Sequence, residues 1–245
     1  MKRHIYSIQL GLVSLMLGVI SCVVKAESQR LLIGSAFRAP YIEPPNGGTV
    51  WSLLKQVESE LDVEFVFADV PAARALMLAN KGVLDGDVMR VEEIREDHPN
   101  LVRVPTVVSV NEIAVFSWNP ELKINSFEEI AAAQKLAVAT LIGRKFIQRN
   151  LPNKNNRIFL EGIELLFALL EHKRVELVVL DRRSAYHAVW DDLGKTVFEI
   201  SEQPLATRHY YLYLHQRHTE LVPRLNTALE EAMRQRTLET NKNPH

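Results

Sequence analysis

In the stretch Lys173-Arg174-Val175-Glu176-Leu177-Val178-Val179-Leu180-Asp181, the run Leu177 to Leu180 is continuously apolar. A run of that length without polar alternation is the mark of a strand buried on both faces of a sheet. Asp181 closes it with a carboxylate at the carboxyl end, where open α/β sheets meet their binding crevice. Asp is also a preferred helix N-cap, so the same residue suits the start of the segment that follows. Upstream, Ile163, Leu166, Phe167 and Leu170 recur at helical spacing. The order helix, basic turn, buried strand, acid has an echo earlier in the chain. There a helix from Ala72 to Asn80, entered through Pro71, leads to Lys81-Gly82-Val83-Leu84-Asp85 and a short strand ending near Arg90.

Working outward, the same alternation continues in both directions. Leu31 to Gly34 and Val63 to Phe67 read as strands around a helix carrying Val50, Leu54, Val57 and Leu61. Short strands are expected at Leu101 to Val104 and Ile113 to Ser117. Ser126 and Glu129 form a capping box for the next helix. Leu136 to Ala139, Arg157 to Phe159, Val197 to Ile200 and Tyr210 to Leu214 read as further strands, with helices at Arg144 to Asn150 and Ser184 to Asp192. Leu221, Leu225, Ala228, Leu229 and Met233 stripe a final helix before a polar tail from Thr240. Such alternation predicts α/β layers on a mainly parallel sheet.

The amino-terminal segment bears on compartment. Lys2, Arg3 and His4 precede an uncharged, largely apolar run from Ile5 to Val24, and Ala26 ends a small-residue cleavage pattern. This is the layout of a secretory signal peptide over residues 1–26, which places the mature chain in the periplasm. Cys22, the only cysteine, follows Val19-Ile20-Ser21 in a sequence like a lipoprotein box. Lipid anchoring at Cys22 and plain cleavage after Ala26 both remain open, and neither allows an intramolecular disulfide. Beyond residue 26 the chain carries 26 Lys+Arg against 30 Asp+Glu, a net charge of −4. That balance argues against nucleic acid as a partner.

These motifs resemble the family 3 periplasmic solute-binding proteins, the amino-acid receptors of ABC uptake systems. The residues that carry the likeness are Ala75-Leu76 leading to Gly82-Val83-Leu84-Asp85-Gly86, Leu169-Leu170 leading to Arg174 through Asp181, and the closing segment Leu214 to Leu229. The resemblance implies a Venus-flytrap fold, with two α/β lobes linked by a hinge. Lobe one would combine residues 30–116 and 209–245, and lobe two residues 119–206, with hinges near 117–118 and 207–210. It implies a non-enzymatic receptor that closes on a small polar solute and needs no cofactor or metal. Its expected partners are the solute and an ABC permease or, alternatively, a membrane sensor, the chain itself being a monomer. Dehydratase chemistry on the same fold is the enzymatic alternative.

For the site, the resemblance implies Asp181 as the acid that grips a ligand ammonium. Arg90, then Arg95, are the candidates for the arginine that clamps its carboxylate. The family's usual Ser/Thr-x-x-Arg is not met, because Glu92 stands at its first position. Phe37 or Tyr41, in the loop Ser35 to Tyr41, would supply an aromatic contact, and Arg38 in that loop adds a cation. Arg74 sits in a first helical turn, where the helix dipole disfavours a cation unless an anion is near, either a ligand or Asp69. Gly143 opens a helix after a strand, and Arg144 and Lys145 stand where the family usually has small hydroxyl residues. Several cations against one acid point to an anionic solute, such as an acidic amino acid or a dicarboxylate.

Other signatures give less. His209, His215 and His218 lack partners spaced for zinc and read as exposed loop residues. Gly194-Lys195-Thr196 is no phosphate loop, because Val189 occupies the first glycine position. No Gly-x-Ser-x-Gly elbow is present. Trp51, Trp118 and Trp190 sit among apolar neighbours, as core residues do.

Overall fold

The computed structural model describes residues 28–43, 47–151, 156–190 and 192–242; the expected signal segment 1–26 and Cys22 lie outside them. The first strands and helices are β1 (Gln29–Ser35), α1 (Thr49–Leu61), β2 (Val63–Phe67), α2 (Ala72–Asn80), β3 (Gly86–Arg90), β4 (Leu101–Arg103) and β5 (Ser109–Ser117). They continue with α3 (Phe127–Ala132), β6 (Val138–Leu141), α4 (Lys145–Asn150), β7 (Arg157–Leu160), α5 (Ile163–Glu171), β8 (Leu177–Asp181) and α6 (Arg182–Val189). The chain closes with β9 (Phe198–Glu199), β10 (Ala206–His215) and α7 (Val222–Lys242). Short 3₁₀ turns stand at Glu92–Arg95 and Gln216–Leu221.

The strands run in the order β2-β1-β3-β10-β5-β8-β6-β7, with β4 on β10 and β9 on β5. Within each half the pairing is largely parallel: β1 with β2 and β3, and β6 with β7 and β8. The middle is antiparallel. Residues 206–210 of β10 pair with β5, whereas residues 211–215 pair with β3 and β4. One strand therefore serves both halves, and the chain passes between them in opposite directions along β5 and β10. The expected mainly parallel sheet thus gains an antiparallel join.

Two separate sets of core residues lie on either side of this join. In the first half, Leu31, Ile33, Leu54, Val57 and Phe65 pack with Val104, Val108, Leu212 and Leu225, while Ala75, Ala79, Leu101 and Tyr213 fill the opposite face. In the second, Ala114, Phe116, Ala139, Phe167, Val178 and Leu180 cover one face, and Ile113, Val115, Val138, Leu177 and Val179 the other. Side chains of 177 and 179 thus share one face and those of 178 and 180 the other, as a strand buried on both sides requires. Val104 N–H donates to Leu212 O and Val108 N–H to Tyr210 O, both at 2.9 Å. The passage between cores accordingly falls at residues 104–109 and 210–212. Ser117 lies deeper in the second half, paired with Phe198.

Local rules account for several element ends. Ser126 Oγ accepts from Glu129 N–H at 3.1 Å, and Glu129 reaches back to Asn125 N–H at 2.7 Å, one residue short of the usual return bond. Gly86 sits where β3 meets β10; a Cβ there would lie 2.3 Å from Tyr213 O. Three expectations need correction. His209 and His215 lie in β10, His215 half-buried, and not in exposed loops. Trp190 is 72% exposed, because it follows α6 where the helix has turned away from the core. His218 is not a free loop residue: its Nε2 lies 2.6 Å from Asp85 Oδ1, with Arg217 on the same carboxylate at 2.5 Å and Leu32 N–H at 2.8 Å.

Candidate functional site

Asp181 ends β8 and is 2% exposed. Its Oδ1 accepts Ser184 N–H at 3.1 Å, so the acid does cap α6. The same oxygen also accepts the Tyr41 hydroxyl at 2.8 Å. Tyr41 belongs to the loop after β1 in the first half and is fully buried. A hydrogen bond therefore joins the halves across 140 positions of sequence. Burial, reinforced by the Asp181 charge, pushes the Tyr41 phenol well above its ordinary range, so it remains a donor.

Around this bond the first half contributes aromatic rings. Phe37 packs edge-on against Tyr41, centroids 5.3 Å apart, and against Tyr210 at 5.0 Å. Burial raises the Tyr210 phenol to about 12, with Arg144 opposing and Asp181 assisting the shift. The second half contributes cations. The Arg144 guanidinium lies 3.7 Å from the Phe37 ring centre, and that of Arg183 lies 5.5 Å from Tyr41. Arg144 Nη1 points to Ala36 O at 3.5 Å, and its Nη2 stands 3.9 Å from Asp181 Oδ2. That last separation is an ionic contact and too long for a hydrogen bond. Two more contacts cross between halves: His187 with Glu43 at 3.6 Å, and Arg208 with Glu93 at 2.6 Å.

Polar groups at this contact between the halves are incompletely paired. Asp181 Oδ2 and Arg144 Nε are both buried with no hydrogen-bond partner. So is Oγ1 of Thr140, on the neighbouring strand β6. The register Val138↔Leu177 places Thr140 opposite Val179, on the face that Asp181 shares. Leaving such groups unpaired costs about 1–3 kcal/mol each, more when charged.

Of the residues expected at the site, the structure brings together Phe37, Tyr41, Arg144 and Asp181. Arg90 is 2.7 Å from Asp87 Oδ2 and 2.5 Å from Ala72 O, in a buried pair beneath β3's end. Arg38 pairs with Asp69 at 2.6 Å and covers Phe67, so Asp69 is engaged there. Arg74 and Arg95 are exposed. Gly143, also exposed, has φ +84°, a conformation in which a side chain would be strained, and it precedes a helix of only six residues. Sequence reasoning did not select Tyr210 or Arg183 as site residues. Arg183 had a usable signal, its place in the first turn after Asp181.

No family model matches the sequence, and neither does any curated protein. Solved structures do. Holo ArgBP from T. maritima superposes with a TM-score of 0.66 at 18% identity, over 85% of this chain and 92% of that one. An ancestral arginine-binding protein bound to arginine gives 0.67 at 19%, over 87% and 96%. The amino acid ABC transporter substrate-binding protein AbpA from Streptococcus pneumoniae, bound to L-arginine, gives 0.67 at 15%, over 89% and 94%. At these identities the likeness is one of fold, and it extends over nearly the whole of each partner. The chain has the two-lobed Venus-flytrap fold of periplasmic binding proteins, α/β in both lobes.

Proposed function

We propose that the chain is an exported receptor which holds a small amino-acid-like solute between its lobes and presents it to an ABC permease, acting by binding and not by catalysis. The observation that carries this reading is the buried carboxylate of Asp181 at the end of β8, one oxygen hydrogen-bonded across the crevice and the other unpaired. A solute ammonium satisfies that oxygen, and Arg144 is the cation placed to take a carboxylate. Solved relatives of the same fold that bind arginine or belong to amino-acid ABC transporters support the solute class. We infer that the lobes divide near 104–109 and 210–212, in place of the expected hinges at 117–118 and 207–210, because the two cores separate there.

The solute's charge can be narrowed. The cations Arg38, Arg74, Arg90, Arg144 and Lys145 suggested an anion, but Arg38 and Arg90 are held by Asp69 and Asp87, and Arg74 and Lys145 face solvent. Asp181 with Arg144 forms one acid and one base, which suits a zwitterion; Arg183 is the second cation that would reward an acidic side chain. Thermal-shift and calorimetric titration of the purified protein with the twenty amino acids and common dicarboxylates tests this. Saturable heat with at least one amino acid, lost in Asp181→Asn, is the expected result. No response to any of them overturns the reading.

A further inference from the structure

We propose that Arg144 is a resident cation of the crevice, occupying the place where a solute's positive group binds, so that solute enters by displacing it. The location rests on the reading of the crevice as a solute site; the exchange goes beyond it. Arg144 meets the two features that attract a cation here, the Phe37 face at 3.7 Å and the Asp181 carboxylate at 3.9 Å. It satisfies neither fully. Its Nε and the facing Asp181 Oδ2 are both buried without a hydrogen bond, and its one bond to Ala36 O is long at 3.5 Å. Nε of Arg90 and of Arg208 is likewise buried without a partner, so the difference lies in the carboxylate contact: Arg38, Arg90 and Arg208 each hold one at 2.6–2.7 Å, against 3.9 Å for Arg144.

An under-bonded guanidinium is displaced at small cost. The backbone that carries it favours movement: Gly143 with positive φ precedes it, and α4 begins only after it. A solute ammonium approaches Asp181 to hydrogen-bond distance, which Arg144 does not reach. The released guanidinium then meets the solute's carboxylate. Before exchange, Arg144 also fastens the lobes, because the ring and carbonyl it touches belong to the opposite lobe. Binding is accordingly the replacement of one cation by another in a crevice that is already shut.

The test uses the purified full chain and its Arg144→Ala variant, with methylguanidine as a probe that stands for the missing side chain. Without the guanidinium the lobes separate, and the radius of gyration from X-ray scattering rises by roughly 1 Å. Methylguanidine at ten times its dissociation constant restores the compact value and raises the variant's melting temperature by about 3–5 °C. The unsubstituted protein, its place filled, responds at least tenfold more weakly. Arg144→Gln, which keeps the stem and removes the charge, opens likewise and covers the case of an unstable alanine variant. Equal compactness of wild type and both variants overturns the proposal, as does equal stabilisation of wild type and Arg144→Ala by the probe. Failure of every amino acid to bind, with methylguanidine exchange intact, would remove the receptor reading and leave the exchange standing.

Discussion

Replacing Tyr41 by phenylalanine removes one hydroxyl and leaves the ring against Phe37. The lost bond is 2.8 Å long, and its partners are 0% and 2% exposed. Hydrogen bonds to a charged acceptor are worth about 1.5–3 kcal/mol in such settings. Asp181 would keep only Ser184 N–H on Oδ1 and, on Oδ2, no hydrogen bond but the 3.9 Å ionic contact with Arg144. Because donor and acceptor sit on different lobes, the loss falls on closure: in an open molecule water hydrates both groups. At 1.4 kcal/mol per factor of ten, the ratio of closed to open molecules falls by about 10- to 100-fold. Until the open form predominates, the shift shows as expansion of the solute-free protein; only once it does, and if the closed form is the one that binds, does solute affinity fall by the same factor. Calorimetric titration of Tyr41→Phe with the solute found in the amino-acid panel measures it. A solute-free Tyr41→Phe chain as compact as wild type by X-ray scattering, together with an affinity within twofold of wild type, refutes the coupling of Tyr41 to Asp181, and with it the account of the crevice.

Other consequences concern stability. Burial raises Asp87 to about 6, against the opposing pull of Arg90. Its neutral form is therefore favoured on folding, and the associated stability is full below pH 4 and lost as pH rises through 6. Urea midpoints between pH 4.5 and 7 should show this slope, and Asp87→Asn should flatten it. Asp85 is shifted the other way: burial raises it, but Leu32 N–H, Arg217 and His218 outweigh burial and lower it overall. Its stability is present above pH 4 and fades as pH falls through the depressed value; Asp85→Asn should cost about 1–3 kcal/mol at pH 7 by chemical denaturation. Gly86→Ala should destabilise by about 1–3 kcal/mol or more, because its Cβ meets backbone at Tyr213 O. Gly143→Ala meets no neighbour and should cost only the strain of its positive φ, about 1 kcal/mol, in the same assay.

Much of the fold was readable because it rests on local pattern. Ala72 to Asn80 forms the expected helix, and Leu177 to Leu180 the expected doubly buried strand. The joining strands were underestimated because polar residues interrupt them. Ser109 and Asn111 are buried in β5 and bonded to each other at 3.0 Å, and Thr207, Arg208 and His209 disguise the start of β10. Such positions read as loop until their cross-strand partners are known. At the site, Asp181 was legible from its place at a strand end. Of the arginines, Arg38 was not, because the tertiary fold brings its partner Asp69 to it, whereas Arg90 has Asp87 three residues away on the same strand and that pairing was open to a local reading.

The central claim is that a small solute binds between the lobes on Asp181. Its most direct test is to purify the exported protein under native conditions, denature it, and identify by mass spectrometry what small molecules are released. The account predicts one amino-acid-like compound near one per chain from wild type and little or none from Asp181→Asn. The same compound in equal amount from both proteins, or a release of product that accumulates with time from added precursor, contradicts it.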